Sequence, residues 1–411
     1  MQMSRAKGRR LWSLRLGCNR RPVLAATFKI DFERSEVLIL GQDGAEIRKT
    51  LPFALPEKAA FRFAEFDPRD NVVEFVHENG TQVSAEIEPL GSRVLMAPDR
   101  PVVYLDQCHR ITLARQLWAP EKVLARERDA AVALIEMARG GEVILPISSA
   151  NLTEMTPADG AFRRNLGLTM LQLSRGWQMR NPVHVRGAEL RSLFAGENPA
   201  TANVFTLAPG VLFIGQNPLA PAPPRAPFAA FLQRISEVFA IYQVAVEDEK
   251  IPNPDGLERA EAWAQEQRRF ALLLREDRVS PAKAQHYAAA RLIHDLAEEV
   301  LAATRTSGLT EQEVKEWLAN GLDDGVNEMP SLGVIHRTIY DRVKNAEAKW
   351  EANHFNDIQF LSCAAAYADV VVGEKETSEH LKHAQRGRPG AVICRTLPEV
   401  INCLADRAQA A

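Results

Sequence analysis

Five acidic residues stand at points from which a folded chain could gather them. Asp106 ends the apolar run PVVYLD, Glu154 follows the strand-like EVILPI within SSANLTEM, and Asp357 lies in FNDIQF. Asp369 and Glu374 bracket the run VVV. A continuous apolar run ending in an acid is the pattern of a buried parallel strand, and in an open parallel sheet the carboxyl ends of the strands converge on one rim. Carboxylates gathered there repel one another unless a cation lies between them. Oxygen-only donors suit a hard divalent ion, Mg²⁺ or Mn²⁺. Such an ion activates water and stabilises charge on a phosphodiester. Asp106, Glu154, Asp357 and Glu374 are therefore the candidate catalytic metal ligands. Asp369 is the alternative to Glu374, which lies 17 residues beyond Asp357.

The elements that must position these acids are legible in outline. ERDAAVALIEMARGG has apolar residues at helical spacing and is stopped by glycines, and Ser148-Ser149 offer N-cap oxygens ahead of Glu154. From about 156 to 350 the pattern is mostly helical, with a capping box at Thr310 and Glu313. It is broken by NPLAPAPPRAP, too rich in proline for helix or strand. Near the C-terminus NDIQFLSCAAAY reads as helix, ADVVVGEK and GAVICRT as strands, and TLPEVINCLADRAQ as a closing helix. Two α/β pieces separated by helices imply one sheet domain, residues 96–411, with a helical insertion at about 195–335.

Ahead of it, residues 22–95 hold short alternating runs such as VLAATFKIDF and NVVEFVHENG, divided by turn signals including Asn79-Gly80. These predict a small β-rich domain. Residues 1–21 are basic, with no acid before Asp31, and read as a disordered tail or a phosphate-contacting arm. The fold class expected is thus α/β, a parallel-sheet domain with a large helical insertion behind a small β unit.

Net charge of −3 offers no global field for a polyanion, so a nucleic-acid partner needs a local basic patch. Two stretches could supply one. The first is Arg163, Arg164, Arg175, Arg180 and Arg186 with Trp177, which reads as a solvated helix face or as a phosphate-and-stacking surface. The second is Lys375, Lys382, Arg386 and Arg388. Gln107 and His109, beside the first acid, are further candidates for substrate contact, with Arg163, Arg164 and Lys375. No run reaches the roughly 18 apolar residues of a membrane span. Five cysteines without CxxC spacing indicate neither zinc nor a disulfide framework and suit a reducing cytoplasm. Trp317 and Trp350 read as core.

VVYLDQCHRITLAR, EVILPISSANLTEM and FNDIQFLSCAAAYADVVVGEK together resemble the PIN-like superfamily of ribonucleases. The resemblance spans roughly residues 101–156 and 340–400. It implies a PIN-like parallel-sheet fold and a metal-dependent endoribonuclease that hydrolyses RNA with Mg²⁺ or Mn²⁺. Asp106 matches the family's first acid, Glu154 the second and Asp357 the third, in an Asn-Asp pair. The last acid of the family usually follows a strand ending in Thr-x-Asp, whereas here the strand runs into Gly373-Glu374-Lys375. Cys108 also stands where an Asn commonly follows the Leu-Asp-Gln motif. Family analogy extends to a toxin or defence nuclease with a protein antitoxin or inhibitor as partner, and to a homodimer. The competing expectation is a catalytically inactive PIN-like scaffold that binds nucleic acid or protein. A haloacid-dehalogenase-like phosphatase would need an Asp at position 108, and no GxxxxGK[ST] loop supports a P-loop nucleotidase.

Overall fold

Alternating burial explains the first sheet. Along Glu36–Gly41 each half-buried residue is followed by a buried one, and Phe28, Ile30, Val73, Phe75, Val83 and Ala85 turn to the same covered face. The opposite face carries exposed ions such as the Lys29–Glu65 pair at 3.2 Å. In the computed structural model the described residues are 2–6, 9–14, 23–41, 43–51, 59–67, 70–88, 96–155, 160–198, 203–208, 212, 227–246 and 254–410. They form a mixed α/β protein: an antiparallel N-terminal sheet and a largely helical remainder. The proline-rich segment 217–226 lies outside the described residues.

The sheet runs Gln2–Ala6, Arg9–Leu14, Val23–Asp31, Phe61–Asp67, Val72–His77, Gln82–Glu86. Glu36–Gly41 also pairs with Val23–Asp31, and Glu46–Thr50 lies outside it. Two expectations are corrected here. Residues 2–6 and 9–14 are paired strands rather than a disordered tail, because their backbone groups join the ladder from Gln2↔Ser13 to Ala6↔Arg9 and on to Val23–Asp31. Residues 15–22 lie outside the described residues. Nor is the β unit closed by its own residues. A sheet must bury its apolar face against another layer, and the helix Pro227–Val246, drawn from the expected insertion, supplies it. Phe231 lies 5.2 Å from the ring of Phe28 and 4.7 Å from that of Phe66. Phe239 stacks on Phe32 at 4.2 Å. The helix is fixed in register by Gln243, whose side-chain oxygen accepts the Ala60 N–H at 2.8 Å, and by the Arg234–Glu88 ion pair at 3.0 Å.

The second sheet is parallel. Cys394-ended Val392–Cys394 pairs with Val370–Val372, which pairs with Val103–Leu105. Single parallel bridges, Val102↔Ile144 and Ile147↔Gln178, continue the order outward. Gln178–Met179 then pairs antiparallel with Phe205–Thr206. These strands are only two or three residues long and entirely buried except at Val392, which is why their sequences are apolar runs without alternation. Helices Gln107–Trp118, Ala125–Gly140 and Leu397–Ala410 pack on one side through Leu113, Leu134, Ala138 and Leu404. Asn353–Tyr367 and Lys375–Ala384 bring Leu361, Ala364, Ala365 and Leu381 to the core shared with Val371 and Ile393.

The remaining helices, from Pro254–Glu276 through Pro330–Val343, share a separate core with Leu190, Trp350 and Ile358. The capping box expected at Thr310 and Glu313 is present. Pro330–Val343 begins with a proline and has no cap of its own. Buried Glu189 takes that role, accepting the N–H groups of Ser331 at 2.7 Å and Leu332 at 3.1 Å, and the Tyr367 hydroxyl at 2.7 Å. Those bonds tie Pro330–Val343 to Asn353–Tyr367 and so fix the helix that carries Asp357. Among the described residues no helix is long and apolar enough to cross a membrane.

The two bodies meet at a close helix crossing. A Cβ built on Gly167, in the helix Gly160–Ser174, would lie 2.0 Å from the Ala245 carbonyl oxygen. At an exposed helix position Gly→Ala stabilises by roughly 0.5–1 kcal/mol. Here Gly167→Ala is expected to destabilise by about 1–3 kcal/mol, as overpacking does, read from the urea-unfolding midpoint.

Candidate functional site

The parallel register decides where the acids stand. Val372 pairs with Leu105, so Asp106 and Gly373 leave adjacent strands side by side, and the Asp106 N–H donates to the Val372 carbonyl at 2.9 Å. Chain order reverses between these two strands: Val103–Leu105 leads outward to the 144 segment, and Val370–Val372 lies on its other side. The crevice beyond the carboxyl ends at such a reversal is where open α/β sheets bind ligands. Asp106 is also the N-cap of Gln107–Trp118, its carboxylate accepting the Gln107 N–H at 2.7 Å, and Glu374 is the N-cap of Lys375–Ala384. Two helix N-termini therefore direct their partial positive charge at the two acids.

Glu154 and Asp357 complete the group. Glu154 is the last residue of the short helix Ser149–Glu154, launched by a capping box in which Ser148 and Asn151 satisfy each other. Asp357 lies one turn inside Asn353–Tyr367 rather than at its first residue. Both are half-buried. Burial pushes the Glu154 carboxyl up to about 8, and the charges of Asp106, Asp357 and Glu374 push the same way. Burial likewise raises Asp357 to about 7, with Asp106 and Glu374 adding to it and Arg342 opposing. Asp106 is raised by burial despite the N–H groups that favour its charge. The charges of acids from four separate segments thus bear on one crevice, in which Asp106, Glu154 and Asp357 are half-buried and Glu374 is exposed. Among the described residues no three His, Cys, Asp or Glu groups stand in a ready ligating arrangement.

Asp369 does not join them. It precedes Val370 at the amino end of the strand, about 13 Å of extended chain from Gly373. Its carboxylate there accepts the Val102 N–H at 2.8 Å and pairs with Arg407. Its acidity serves the sheet. The arginine-rich stretch is corrected too. Arg163, 2% exposed, is turned inward and donates to the Met155 carbonyl at 2.9 Å. Trp177 is buried and donates to Glu86, which also binds Arg100 and Arg175. Arg180 donates to the Asn203 carbonyl, and Arg186 pairs with Glu299. No stacking or phosphate surface is formed by these groups. Arg164 is half-buried on the same helix as Arg163. In the second stretch Arg388 is held by the carbonyls of Asn327 and Met329, while Lys375 and Arg386 are exposed.

Other residues stand beside the acids along the helix Gln107–Trp118. Gln107 is 8% exposed, within 3.5 Å of Asn151 through its oxygen, and its Nε2 has no hydrogen-bond partner. Burial lowers the proton affinity of His109, against the pull of Asp106, Glu127 and Glu374. Burial raises the Cys108 thiol, and Asp106 and Glu374 raise it further, so it stays protonated and is no nucleophile. Arg110 escaped the sequence reading. Its spacing from Gln107, Leu113 and Ala114 along one helix face was the available signal, and all four are buried. A cavity of about 550 Å³ lined by Asn327, Arg337, Tyr367, Arg388 and Gly390 opens at the other end of the sheet, away from the acids.

No protein-family model, no curated protein and no solved structure matches the chain.

Titration of the acids has a definite sign. Folded values of about 8 for Glu154 and about 7 for Asp357 lie above unfolded values near 4. Between these limits the native chain binds more protons than the unfolded one, so its stability falls as pH rises through that window. Thermal melts in chelator should therefore drop from pH 5 to pH 8. Asp357→Asn should flatten the drop and exceed the parent at pH 8, and an unchanged slope would count against the shared field.

Proposed function

We propose that this chain is a metal-dependent endoribonuclease built on a PIN-like α/β body. The observation that carries the reading is the electrostatic coupling of Asp106, Glu154, Asp357 and Glu374 at the reversal of strand order. Three half-buried carboxylates, Asp106, Glu154 and Asp357, with exposed Glu374 at the crevice mouth, offer the oxygen donors that suit Mg²⁺ or Mn²⁺. When bound, the ion polarises a phosphodiester and lowers the pKa of water.

The chain's own groups have separate tasks. Asp106, Glu154, Asp357 and Glu374 would hold the ion. The unpartnered Gln107 amide is suited to donate to a substrate oxygen. Lys375, exposed directly after Glu374, reaches a flanking phosphate as a point charge. Neutral His109 can accept or return a proton near Asp106. With Arg163 and Trp177 withdrawn into the core, substrate affinity rests on a small patch around Lys375. The absence of a ready ligating trio among the described residues favours a second reading, an inactive scaffold that binds without cleaving.

Cleavage of an end-labelled RNA with Mn²⁺ separates them. Asp106→Asn and Glu374→Gln should lower the rate on the order of a hundredfold or more, whereas Asp369→Asn should leave it near the parent's. Cleavage that persists in chelator, or in Asp106→Asn, would sink the nuclease reading. RNA binding without any cleavage would install the scaffold.

A further inference from the structure

We infer that Arg110 is the positioning residue of the acid cluster: its guanidinium clamps the ends of two adjacent strands and so sets the spacing between Asp106 and Glu154. This rests on the proposed reading of those acids as metal ligands. Arg110 is 3% exposed. Its Nε donates to the carbonyl of Leu105, the residue before Asp106, at 3.1 Å. Its Nη2 donates to the carbonyl of Pro146, two residues before the N-cap of the Glu154 helix, at 2.5 Å. Both bonds go to backbone carbonyls, not to the acids. The guanidinium also lies over the Tyr104 ring at 5.9 Å, and the Tyr104 hydroxyl meets Ser148 Oγ at 2.8 Å. Ser148 Oγ in turn accepts the Asn151 N–H at 3.3 Å, beginning the turn that ends at Glu154. Two parallel ties, one through Arg110 and one through Tyr104, therefore run from strand Val103–Leu105 to the segment that carries Glu154.

The residue type follows from this geometry. The planar fork of arginine reaches the two carbonyls from two nitrogens held at a fixed spacing; a lysine ammonium has three donors but must serve both carbonyls from a single nitrogen. A buried guanidinium is costly in isolation, but Asp106 and Glu154 attract it, so it remains charged although burial draws it down to about 10. Two effects on a bound cation then oppose each other. As a positive charge Arg110 repels the ion; as a clamp it presents ligands at the short, fixed distances that Mg²⁺ and Mn²⁺ demand. The clamp is taken as the larger effect, and the sign of the affinity change tests that choice.

Calorimetric titration of Mn²⁺ into the full chain distinguishes these by sign. Arg110→Met should bind Mn²⁺ roughly 10-fold to 100-fold more weakly than the parent, the usual range when a group that orients a metal ligand is removed. Arg110→Lys should fall between. Leu134→Ala, a cavity in the buried helix layer, should lower the melting temperature yet leave Mn²⁺ affinity unchanged, which separates positioning from general stability. Unchanged or tighter binding by Arg110→Met overturns the inference. Should that variant not fold, parent-like affinity in Arg110→Lys overturns it equally. If the parent binds no Mn²⁺, the metal reading itself fails and takes this inference with it, an outcome distinct from the variants failing to differ.

Discussion

Three backbone pairs, Val370↔Val103 to Val372↔Leu105, hold the site together. They join parts of the chain 267 residues apart, as the bond from the Val102 N–H to the Asp369 carboxylate records. Strands this short have little ladder of their own, so their ends are pinned: Asp106 N–H to Val372 at one end, Asp369 N–H to Val102 at the other. A slip of one residue would turn every side chain over and carry Asp106 away from Glu374. Register is thus the quantity the surrounding structure protects, and Asp369, tied to both Val102 and Arg407, is one of its guards.

That pairing forces the rest of the architecture. The chain between the two strands must leave the sheet and come back, and an amphipathic helix cannot remain half-exposed on its apolar side. The intervening helices answer this in two ways. Most build a core of their own around Leu292, Ile335 and Trp350. Pro227–Val246 instead covers the N-terminal sheet, whose aromatic face would otherwise lie open. The antiparallel sheet and the α/β body are consequently interleaved in sequence although each has a distinct pattern, and Gly167 marks where their helices touch.

Local chemistry made part of this readable and nonlocal pairing hid the rest. PVVYLD and VVV were legible as buried strands because burial on both faces leaves only apolar residues, and the capping box at Thr310 is confined to four positions. Asp106, Glu154, Asp357 and Glu374 could be proposed together because each follows or interrupts a recognisable element. Choosing between Asp369 and Glu374 needed the strand's direction: one acid lies at its amino end, the other beyond its carboxyl end. The boundary of the β unit could not be read, because the helix that closes it comes from far along the chain. The hairpin of Gln2–Ala6 and Arg9–Leu14 was hidden by its charge, which outweighed its weaker strand pattern.

The basic stretches misled for a reason that generalises within this molecule. Short strands and abrupt helix ends leave many carbonyls without a ladder or helical partner, and a buried carbonyl must find a donor. Arginine, with five donors on a long arm, meets that need repeatedly. Arg110 serves Leu105 and Pro146, Arg163 serves Met155, Arg180 serves Asn203, Arg342 serves Lys349, and Arg388 serves Asn327 and Met329. Arg163, Arg180 and Arg388 are thus spent on backbone carbonyls, and Arg175 and Arg186 on the carboxylates of Glu86 and Glu299. Lysine lacks the fixed fork, its three donors radiating from one nitrogen. Arg110 stands beside the acids, while Arg388 lines the cavity at the other end of the sheet and Lys375 is exposed next to Glu374.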